Sequence, residues 1–322
     1  MPKPLLTILC PVYNEERTVP LFYNRIAPLF DSIATKYDVN LVFMDNGSKD
    51  RTHEIVVDIC KKDPRVFTLV LSRNFGYQCS VECGLRNTHG DLFFVIDVDC
   101  EDPPEMIPEF LKQHEEGFDI VYGERLDREE SMLMILARKL FYRLTRLLAD
   151  EHFILDMAEF ALVTAEVRDA ILADNNSFPF IRASIGRIGF SAKNIPYKRQ
   201  RRIAGETHYN FLGMAIFAIA GILSASTLPL RLAAYGFPFW LAAMTALCVA
   251  GPVWGAAWYL PAVLLLGFGF CGYTLTFVSI YLSRVYHNGL HRPNFVVSRR
   301  RSRFQPGRGA IAISEQSGAE AR

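Results

Sequence analysis

The sequence predicts an α/β domain with a mixed, mostly parallel sheet, followed by juxtamembrane amphipathic helices and a two-helix transmembrane hairpin. Three observations support this fold class: short apolar segments alternate with amphipathic ones at the front, residues 232–283 carry no charge, and charge is distributed unevenly. Residues 1–210 hold 26 Lys or Arg and 32 Asp or Glu, a net charge of −6, whereas residues 211–322 hold nine Arg and two acidic residues, a net charge of +7. Half of the 322 residues are hydrophobic, so the chain is not largely disordered, and its acidic front argues against nucleic-acid binding.

The front of the chain alternates between strand-like and helix-like segments. Five strands are predicted, at Leu5–Pro11, Asn40–Asp45, Arg65–Ser72, Leu92–Asp97 and Asp119–Gly123. Four helices are predicted between them, at Thr18–Tyr37, Thr52–Asp63, Tyr77–Thr88 and Pro103–Glu115. This alternation is typical of a mostly parallel sheet, in which ligands bind beyond the carboxyl ends of the strands.

The uncharged stretch predicts two membrane spans. A spanning helix needs about 20 apolar residues, so this stretch is too long for one span and suits two, near 232–252 and 260–283. Trp254, Trp258 and Tyr259 lie between them, as interfacial aromatic residues do. The alternative is a buried pair of core helices in a soluble protein. Arginines follow the second span and none lies in the loop, which predicts that both ends of the hairpin face the cytoplasm.

The chain therefore divides into four predicted parts. They are a cytoplasmic domain at 1–210, a juxtamembrane helix at 211–231, two transmembrane helices within 232–285, and a basic tail at 286–322 that is disordered from Ser302. The predicted location is the inner (cytoplasmic) membrane, with several passes and with the domain and both termini in the cytoplasm.

Another basic amphipathic helix is predicted at Ser131–Ala149, where leucines at helical spacing alternate with Arg and Lys. It suits an anionic lipid surface, although a core-facing helix with a basic solvent side has the same pattern. The seven cysteines form no Cys-x-x-Cys pair and accompany no His cluster. They predict reduced thiols rather than a zinc site.

Polar residues follow four of the predicted strands, at Pro11–Glu16, Asp45–Asp50, Arg73–Gly76 and Asp97–Asp99. Neither a glycine-rich dinucleotide fingerprint nor a P-loop occurs in the sequence. Asp97 and Asp99 are separated by one residue, so strand alternation predicts that their side chains project to the same side. Carboxylates of this kind hold Mg²⁺ or Mn²⁺, which in turn binds phosphate oxygens. The alternative is two solvated loop carboxylates.

Asp102 is predicted to play a different part from Asp97 and Asp99. The sequence Asp102-Pro103-Pro104-Glu105 fits a helix N-cap followed by Pro at the first helical position and Glu at the third. Asp50 and Thr52 are candidates to cap the helix that follows the second strand.

Together these segments resemble the family 2 glycosyltransferases with the GT-A fold. More narrowly, they resemble the polyprenyl-phosphate glycosyltransferases, such as dolichol-phosphate mannose synthases and undecaprenyl-phosphate glucosyl and aminoarabinosyl transferases. The matching motifs are Pro11–Glu15, Asp45–Thr52, Ser72–Gly76, Asp97–Glu105, Asp119–Arg125, Arg199–Glu206 and Ser226–Arg231. Each motif alone is weak, whereas the ordered set, ending in a membrane hairpin, is specific.

The resemblance implies roles for individual residues. Nucleotide binding is implied for Pro11, Tyr13, Glu15, Asp45, Ser48 and Arg73, and catalysis for Asp97, Asp99, Glu159 and Arg125. A metal on the sugar-nucleotide diphosphate is implied at Asp97 and Asp99, with Glu101 as a possible third ligand. Binding of diphosphate or lipid phosphate is implied for Arg199, Arg202 and His208, because guanidinium groups suit phosphate. The alternative for Arg199 and Arg202 is anchoring at the membrane surface.

The sequence departs from the family pattern at four positions. Asn46 replaces a usual second Asp, and Glu101 stands where many members have Gln, so Glu101 is either an extra metal ligand or a determinant of sugar choice. The usual Asp after the amphipathic helix falls at Glu159, with Asp156 as a second candidate. His208 replaces a frequent Lys, which removes a fixed positive charge at neutral pH.

The resemblance implies an inverting enzyme that moves a sugar from a nucleoside-diphosphate donor, with UDP favoured, to polyprenyl phosphate at the cytoplasmic face. The expected partners are the donor, the lipid acceptor, the membrane and three further copies in a tetramer. Three alternatives stay open. One is an enzyme that uses GDP-mannose, another is a degenerate membrane scaffold, and the third is a processive synthase, which usually carries a Gln-x-x-Arg-Trp motif that this sequence lacks.

Overall fold

A computed structural model describes residues 2–126, 157–173, 181–203, 227–253 and 258–306 of the chain. The described residues fall into two compact units. The first unit contains those up to residue 203 together with residues 293–306, and the second contains those from 227 to 292. Several sequence predictions lie outside the described residues, namely the amphipathic helix at 131–149, Asp156, His208, most of the juxtamembrane segment, and the end of the tail from residue 307.

A seven-stranded sheet forms the centre of the first unit, in the order β3-β2-β1-β4-β6-β5-β7. The strands are β1 Leu5–Val12, β2 Asp38–Asp45, β3 Val66–Val70, β4 Leu92–Val95, β5 Ile120–Arg125, β6 Met157–Thr164 and β7 Ala192–Tyr197. All neighbouring pairs are parallel except those of β6, which runs antiparallel to both β4 and β5. The sheet is therefore mixed and mostly parallel, as the sequence predicts.

Helices cover the sheet and form its hydrophobic layers. They are α1 Thr18–Ile33, α2 Thr52–Lys62, α3 Tyr77–Asn87, α4 Ile107–Glu115, α5 Ala165–Ala173 and α6 Ile181–Ile188, with a 3₁₀ turn at Pro104–Met106 before α4. Phe22, Ile26 and Phe30 of α1 are spaced four residues apart, so they share one helix face and are fully buried in one core cluster. Val81 and Leu85 of α3 belong to a second buried cluster.

Each of the five predicted strands and four predicted helices overlaps an observed element, with ends that differ by a few residues. The main omission concerns residues beyond 125, where β6, α5, α6 and β7 had no sequence assignment. In β7 only Ile195 and Tyr197 are buried, so only two of its six side chains contribute to the alternation of buried and exposed residues that predicts a strand. Weak alternation of this kind does not distinguish an edge strand from a loop.

The tail returns to the sheet after the apolar helices. Backbone bridges pair Arg303 with Thr68 and Val297 with Leu71, along the outer edge of β3. The side chain of Gln305 is buried and donates to Thr7 Oγ1 at 3.2 Å. The prediction of disorder from Ser302 is therefore wrong for residues 302–306, because the backbone of this segment pairs with the open edge of β3 and the side chain of Gln305 is buried.

Two long apolar helices form most of the second unit, α7 Leu228–Val253 and α8 Tyr259–Gly289. They pack against each other, and Trp240 Nε1 donates to the carbonyl oxygen of Leu266 at 3.1 Å. Segments Leu230–Pro252 and Tyr259–Gly289 are long and apolar enough to cross a membrane. Their large side chains are exposed rather than buried, with Phe239 at 79% and Phe268 at 75%, which contradicts the alternative of a core helix pair.

Candidate active site

The candidate residues gather at one edge of the sheet because of its topology. Strands β1, β2, β4, β5 and β7 run in the same direction, so their carboxyl ends meet at this edge. Strand β6 runs the opposite way, so its amino end, with Glu159, lies at the same edge. The segments that follow β1, β2, β4, β5 and β7 carry most of the residues that the sequence singled out. The edge is the one at which α/β sheets bind ligands.

Asp97 lies in an acidic cluster beyond the end of β4. The hydroxyl of Tyr77 donates to Asp97 Oδ1 at 2.8 Å, and Gln78 Nε2 donates to Glu159 Oε1 at 2.5 Å. Burial, followed by the charges of Asp99 and Glu159, raises the pKa of Asp97 to about 7. Three carboxylates are therefore close enough to raise the energy of one another's charged forms, a cost that a bound cation removes.

Asp99 and Glu101 lie beside two arginines from the segment after β7. Arg202 Nη2 is 2.9 Å from Asp99 Oδ2, and Arg202 Nε is 3.4 Å from Glu101 Oε1. Arg199 forms an ion pair with the other oxygen of Glu101. The pKa of Asp99 is nonetheless raised, because burial outweighs the attraction of the arginines. Both arginines thus contact the acidic loop of the site.

Asp102 does not cap the following helix, so that sequence prediction is wrong. The residue before the 3₁₀ turn is Pro103, and no side chain caps that turn. Asp102 instead is 2% exposed, accepts from the hydroxyl of Tyr197 at 2.5 Å, and lies 3.4 Å from Arg125 Nη2. Arg125 Nε also donates to the Tyr197 hydroxyl at 3.1 Å. These contacts arise because β5 and β7 are adjacent, which brings Arg125 and Tyr197 together beside Asp102. The hydrogen bond from Tyr197 and the charge of Arg125 offset the free-energy cost of burying the Asp102 carboxylate.

The segments after β1 and β2 are joined by hydrogen bonds into one rigid corner. The backbone N–H of Asn14 donates to Ser48 Oγ at 3.0 Å, and that of Ser48 donates to Asp45 Oδ1 at 2.8 Å. The N–H of Glu15 donates to Thr52 Oγ1 at 2.7 Å. Pairs of polar groups therefore fix the two loops relative to each other before any ligand arrives.

The buried side chain of Asp45 keeps one oxygen without a hydrogen bond. Asp45 is fully buried at the end of β2, and its Oδ2 has no hydrogen-bond partner in the described structure. The nearest cationic or imidazole groups are His53 Nδ1 at 3.6 Å and Arg301 Nη2 at 4.0 Å. An unsatisfied buried carboxylate oxygen is costly and points to a donor group supplied by a ligand.

The other predicted nucleotide-binding residues occupy the same corner with different local roles. Pro11 lies inside β1 and is buried, and Tyr13 follows the end of that strand and is partly exposed. A carboxylate oxygen of Glu15 accepts from Thr18 Oγ1 at 2.6 Å at the start of α1. The guanidinium of Arg73 stacks over the ring of Phe75 at 4.0 Å.

Capping of α2 involves Asp50 more directly than Thr52. The backbone N–H of Thr52, the first residue of α2, donates to Asp50 Oδ1 at 3.0 Å. Thr52 itself lies within the helix, and its hydroxyl accepts from the backbone N–H of Glu15 in the loop after β1. The residue before α2 is Arg51, whose side chain makes no capping hydrogen bond, so neither Asp50 nor Thr52 is the N-cap residue that the sequence predicted. Asp50 supports the helix start only by accepting from the Thr52 N–H.

Asn46 joins the loops after β2 and β3. Its Nδ2 donates to Asn74 Oδ1 at 3.1 Å, and its Oδ1 accepts from the backbone N–H of Phe75 at 2.9 Å. Asn74 Oδ1 also accepts from the N–H of Gly76 at 2.8 Å. An amide is needed at position 46 because the side chain both donates and accepts.

The predicted metal ligands fit a hard cation in their chemistry. Asp97 and Asp99 supply oxygen donors, and burial raises the pKa of each. Across the described part of the chain, no group of three or more His, Cys, Asp or Glu side chains is arranged as a metal site. Ligation by Asp97, Asp99 and Glu101 therefore stays a prediction.

Sequence reasoning missed three residues that shape the site, namely Tyr77, Gln78 and Tyr197, and it gave Asp102 the wrong role. Tyr77 and Gln78 open α3 directly after the motif that ends at Gly76, so their position next to a predicted site was a usable signal. Tyr197 had no such signal, because its strand was not recognised. Its contact with Asp102 spans 95 residues of sequence.

Comparisons with known proteins assign the chain to a family. Residues 7–172 match the model of glycosyl transferase family 2. The chain is 32% identical to an uncharacterized glycosyltransferase, YkcC, of Bacillus subtilis strain 168, with 91% of this chain and 93% of that protein covered. It is 30% identical to the bactoprenol glucosyl transferase of Shigella phage SfV, with 91% and 97% covered.

Among solved structures, glucosyl-3-phosphoglycerate synthase from Mycobacterium tuberculosis in complex with UDP matches 67% of this chain and 79% of its own chain, at 20% identity and a TM-score of 0.46. The mixed sheet with its active-site edge is the GT-A arrangement. On the family match and the full-length relatives, this chain is a glycosyltransferase and belongs to glycosyl transferase family 2.

Proposed function

We propose that the chain transfers a sugar from a nucleoside-diphosphate sugar to polyprenyl phosphate at the cytoplasmic face of a membrane. The observation that carries the proposal is the sheet edge where buried carboxylates meet three arginines, in a chain that also has two exposed apolar helices. The name of the phage relative, a bactoprenol glucosyl transferase, supports both a lipid acceptor and glucose as the first sugar to test.

The donor occupies the edge between β2 and β4. Its base and ribose lie in the corner formed by Asp45 and Ser48, with Pro11, Tyr13, Glu15 and Arg73 around them. Its diphosphate lies near Asp97 and Asp99, which would hold Mg²⁺ or Mn²⁺. The metal, when bound, offsets the negative charge that develops on the diphosphate leaving group.

The reaction is a single displacement with inversion. A phosphate oxygen of the acceptor forms a bond to the anomeric carbon of the sugar, while the bond from that carbon to the diphosphate oxygen breaks. A lipid monophosphate has a second pKa near ~6 and is mostly a dianion at neutral pH, so the nucleophile needs little help from a general base. Glu159, which is held by Gln78, is then an orienting group for the sugar or a neighbouring side chain.

The arginines position both phosphates. Arg199 and Arg202 contact carboxylates that face the site, and a diphosphate or lipid phosphate replaces these partners with bidentate contacts of the same kind. Arg125 is held by Asp102 and Tyr197 at the end of β5, so its guanidinium is oriented before substrate binds. Preorganised cations of this kind lower the barrier by stabilising the leaving group.

The membrane hairpin brings the enzyme to its acceptor. The two apolar helices anchor the chain in the inner membrane with the domain and both termini in the cytoplasm, as the arginines after the second helix suggest. Small residues on these helices, such as Ala242, Ala246 and Gly251, support helix association, and we include a homotetramer in the proposal.

The test uses the full chain in detergent with Mn²⁺ or Mg²⁺, undecaprenyl phosphate and a panel of UDP- and GDP-sugars. Mass spectrometry detects a glycosylated lipid phosphate. The expected product disappears with EDTA and with Asp99→Asn, and it persists with Asp58→Asn, an exposed carboxylate on α2 paired with Lys61. If only GDP-mannose gives a product, the donor in the proposal is a GDP-sugar rather than a UDP-sugar. Sugar transfer to a soluble acceptor but never to the lipid would refute the lipid acceptor.

A further inference from the structure

The tail that follows both apolar helices places one arginine beside Asp45, in the corner formed by the segments after β1 and β2. Arg301 Nη2 lies 4.0 Å from Asp45 Oδ2, the buried oxygen that lacks a hydrogen-bond partner. The side chain of Arg301 is 44% exposed, so its guanidinium has donors available on the open side. A residue more than 250 positions from Asp45 in the sequence thus lies at the rim of the same site.

The tail backbone holds Arg301 in a fixed place. The N–H of Ser298 donates to the Val70 carbonyl at 2.7 Å, and the N–H of Val70 donates to Ser302 Oγ at 2.9 Å. Arg303 exchanges two backbone hydrogen bonds with Thr68, at 2.8 and 3.1 Å. The turn at 298–302 that carries Arg301 is therefore anchored to β3 on both sides.

The packing of the tail gives this anchor a hydrophobic component. Phe295, Val297 and Phe304 pack against the buried cluster that includes Leu69 of β3 and Leu71, which directly follows that strand. Backbone pairing combined with apolar packing is what distinguishes an integral strand-like segment from a chance surface contact. The position of Arg301 is thus part of the fold of the domain.

The chemistry around Asp45 suits a nucleoside. Asp45 Oδ2 accepts, Arg301 donates, and the Nδ1 atom of His53, 3.6 Å from Asp45 Oδ2, is also without a hydrogen-bond partner in the described structure. A nucleobase edge or a ribose presents N–H or O–H donors next to carbonyl or hydroxyl acceptors. A carboxylate paired with a guanidinium matches such an alternating edge.

We infer that Arg301 is a nucleotide-binding residue, which contacts the base or ribose of the donor beside Asp45. This inference rests on the proposed function, since it assumes that a nucleotide occupies this corner. It adds that a residue after both apolar helices, Arg301, completes the donor site. The front domain, residues 1–210, therefore does not contain the whole site.

The test compares Arg301→Ala with Arg300→Ala in the full chain in detergent. Arg300 is the adjacent exposed arginine of the same turn, so it controls for loss of a positive charge. Isothermal titration with UDP and GDP in Mg²⁺ identifies the nucleotide that the unaltered chain prefers. We expect Arg301→Ala to raise Kd for that nucleotide about 10-fold, as loss of a charge-assisted hydrogen bond does, and Arg300→Ala to change it less than about 2-fold.

A second readout separates a base or ribose contact from a phosphate contact. Competition by the free nucleoside, uridine or guanosine, is expected to weaken by the same factor in Arg301→Ala. In steady-state assays the variant is expected to raise KM for the donor with kcat unchanged. Arg301→Gln serves as a second variant, and melting temperatures of all variants are compared to confirm folding.

The outcomes that overturn the inference are distinct from those that overturn the proposed function. Unchanged nucleotide affinity in Arg301→Ala, an equal loss in Arg300→Ala, or a loss confined to the diphosphate each refutes the role of Arg301 at the base or ribose. If the unaltered chain binds neither UDP nor GDP, the proposed function fails together with the inference.

Discussion

Replacing Tyr197 with Phe tests whether the buried group around Asp102 holds Arg125 in position. The change removes one hydroxyl, which donates to Asp102 at 2.5 Å and accepts from Arg125 Nε at 3.1 Å. The ring itself stays, and with it the contact to Phe160 at 5.5 Å between ring centroids. The perturbation is therefore confined to two hydrogen bonds.

The expected cost follows from how well water can replace the hydroxyl. Asp102 is 2% exposed and keeps a weak ion pair with Arg125, so one of its oxygens loses its donor without access to water. Leaving a buried polar group unsatisfied costs about 1–3 kcal/mol, and we take about 2 kcal/mol. For a domain of this size that corresponds to a fall in melting temperature of about 4–8 °C.

The assay measures melting temperature and transfer rate in detergent, with Tyr37→Phe as the matched control. Tyr37 also donates to a carboxylate, Glu115 at 3.0 Å, but the Glu115 side chain is 37% exposed, so water replaces the bond. We expect Tyr37→Phe to cost less than about 1 kcal/mol and to leave transfer unchanged. Tyr197→Phe should also lower kcat about 10-fold, because Arg125 loses its orientation. Equal melting temperatures and rates for the two variants would refute the reasoning.

Three further changes test other parts of the site. Burial lowers the pKa of His53 from 6.5, so the folded state favours the neutral ring. Stability is therefore lost as pH falls below 6.5, where the unfolded chain takes up the proton first, and His53→Gln should flatten this decline in melting temperature. Gly47 has φ +75°, and an added Cβ would lie 2.7 Å from the backbone carbonyl carbon of Arg73, so Gly47→Ala should cost at least about 2 kcal/mol in a melting assay. Asn46→Asp sets a carboxylate oxygen against Asn74 Oδ1 and should cost about 1–3 kcal/mol, whereas an unchanged melting temperature would contradict the hydrogen-bond assignment.

The order of strands and helices over the first 125 residues was predictable because each element is a strongly apolar or amphipathic segment between polar turns. Strand β4, for example, has four consecutive buried residues. The region after residue 125 was not predictable in the same way. Strand β7 is an edge strand with only two buried side chains. The tail pairs with β3 through backbone groups, and backbone pairing does not depend on which side chains are present, so it leaves no pattern in the sequence.

The clustering of candidate residues at one sheet edge was predictable for those at the ends of strands, and not for those brought in by distant pairing. Asp45 ends β2, Asp97 and Asp99 follow β4, and the carboxyl ends of parallel strands share an edge. Asp102 illustrates the limit, because its local sequence is that of a cap. Its real partners, Tyr197 and Arg125, are supplied by strand pairing that no local pattern encodes.

The departures from the family pattern are compatible with an active enzyme once their partners are considered. Asn46 removes one negative charge relative to the usual Asp, and Glu101 adds one relative to the usual Gln, so the formal charge summed over these two positions is conserved. Each departure also has its own contacts: Asn46 bridges two loops, and Glu101 lies against Arg199 and Arg202. A degenerating site would accumulate unpaired polar groups at such positions, because nothing selects their partners. The contacts of Asn46 and Glu101 therefore argue against a degenerating site, and those of Glu101 hold Arg199 and Arg202 at the sheet edge.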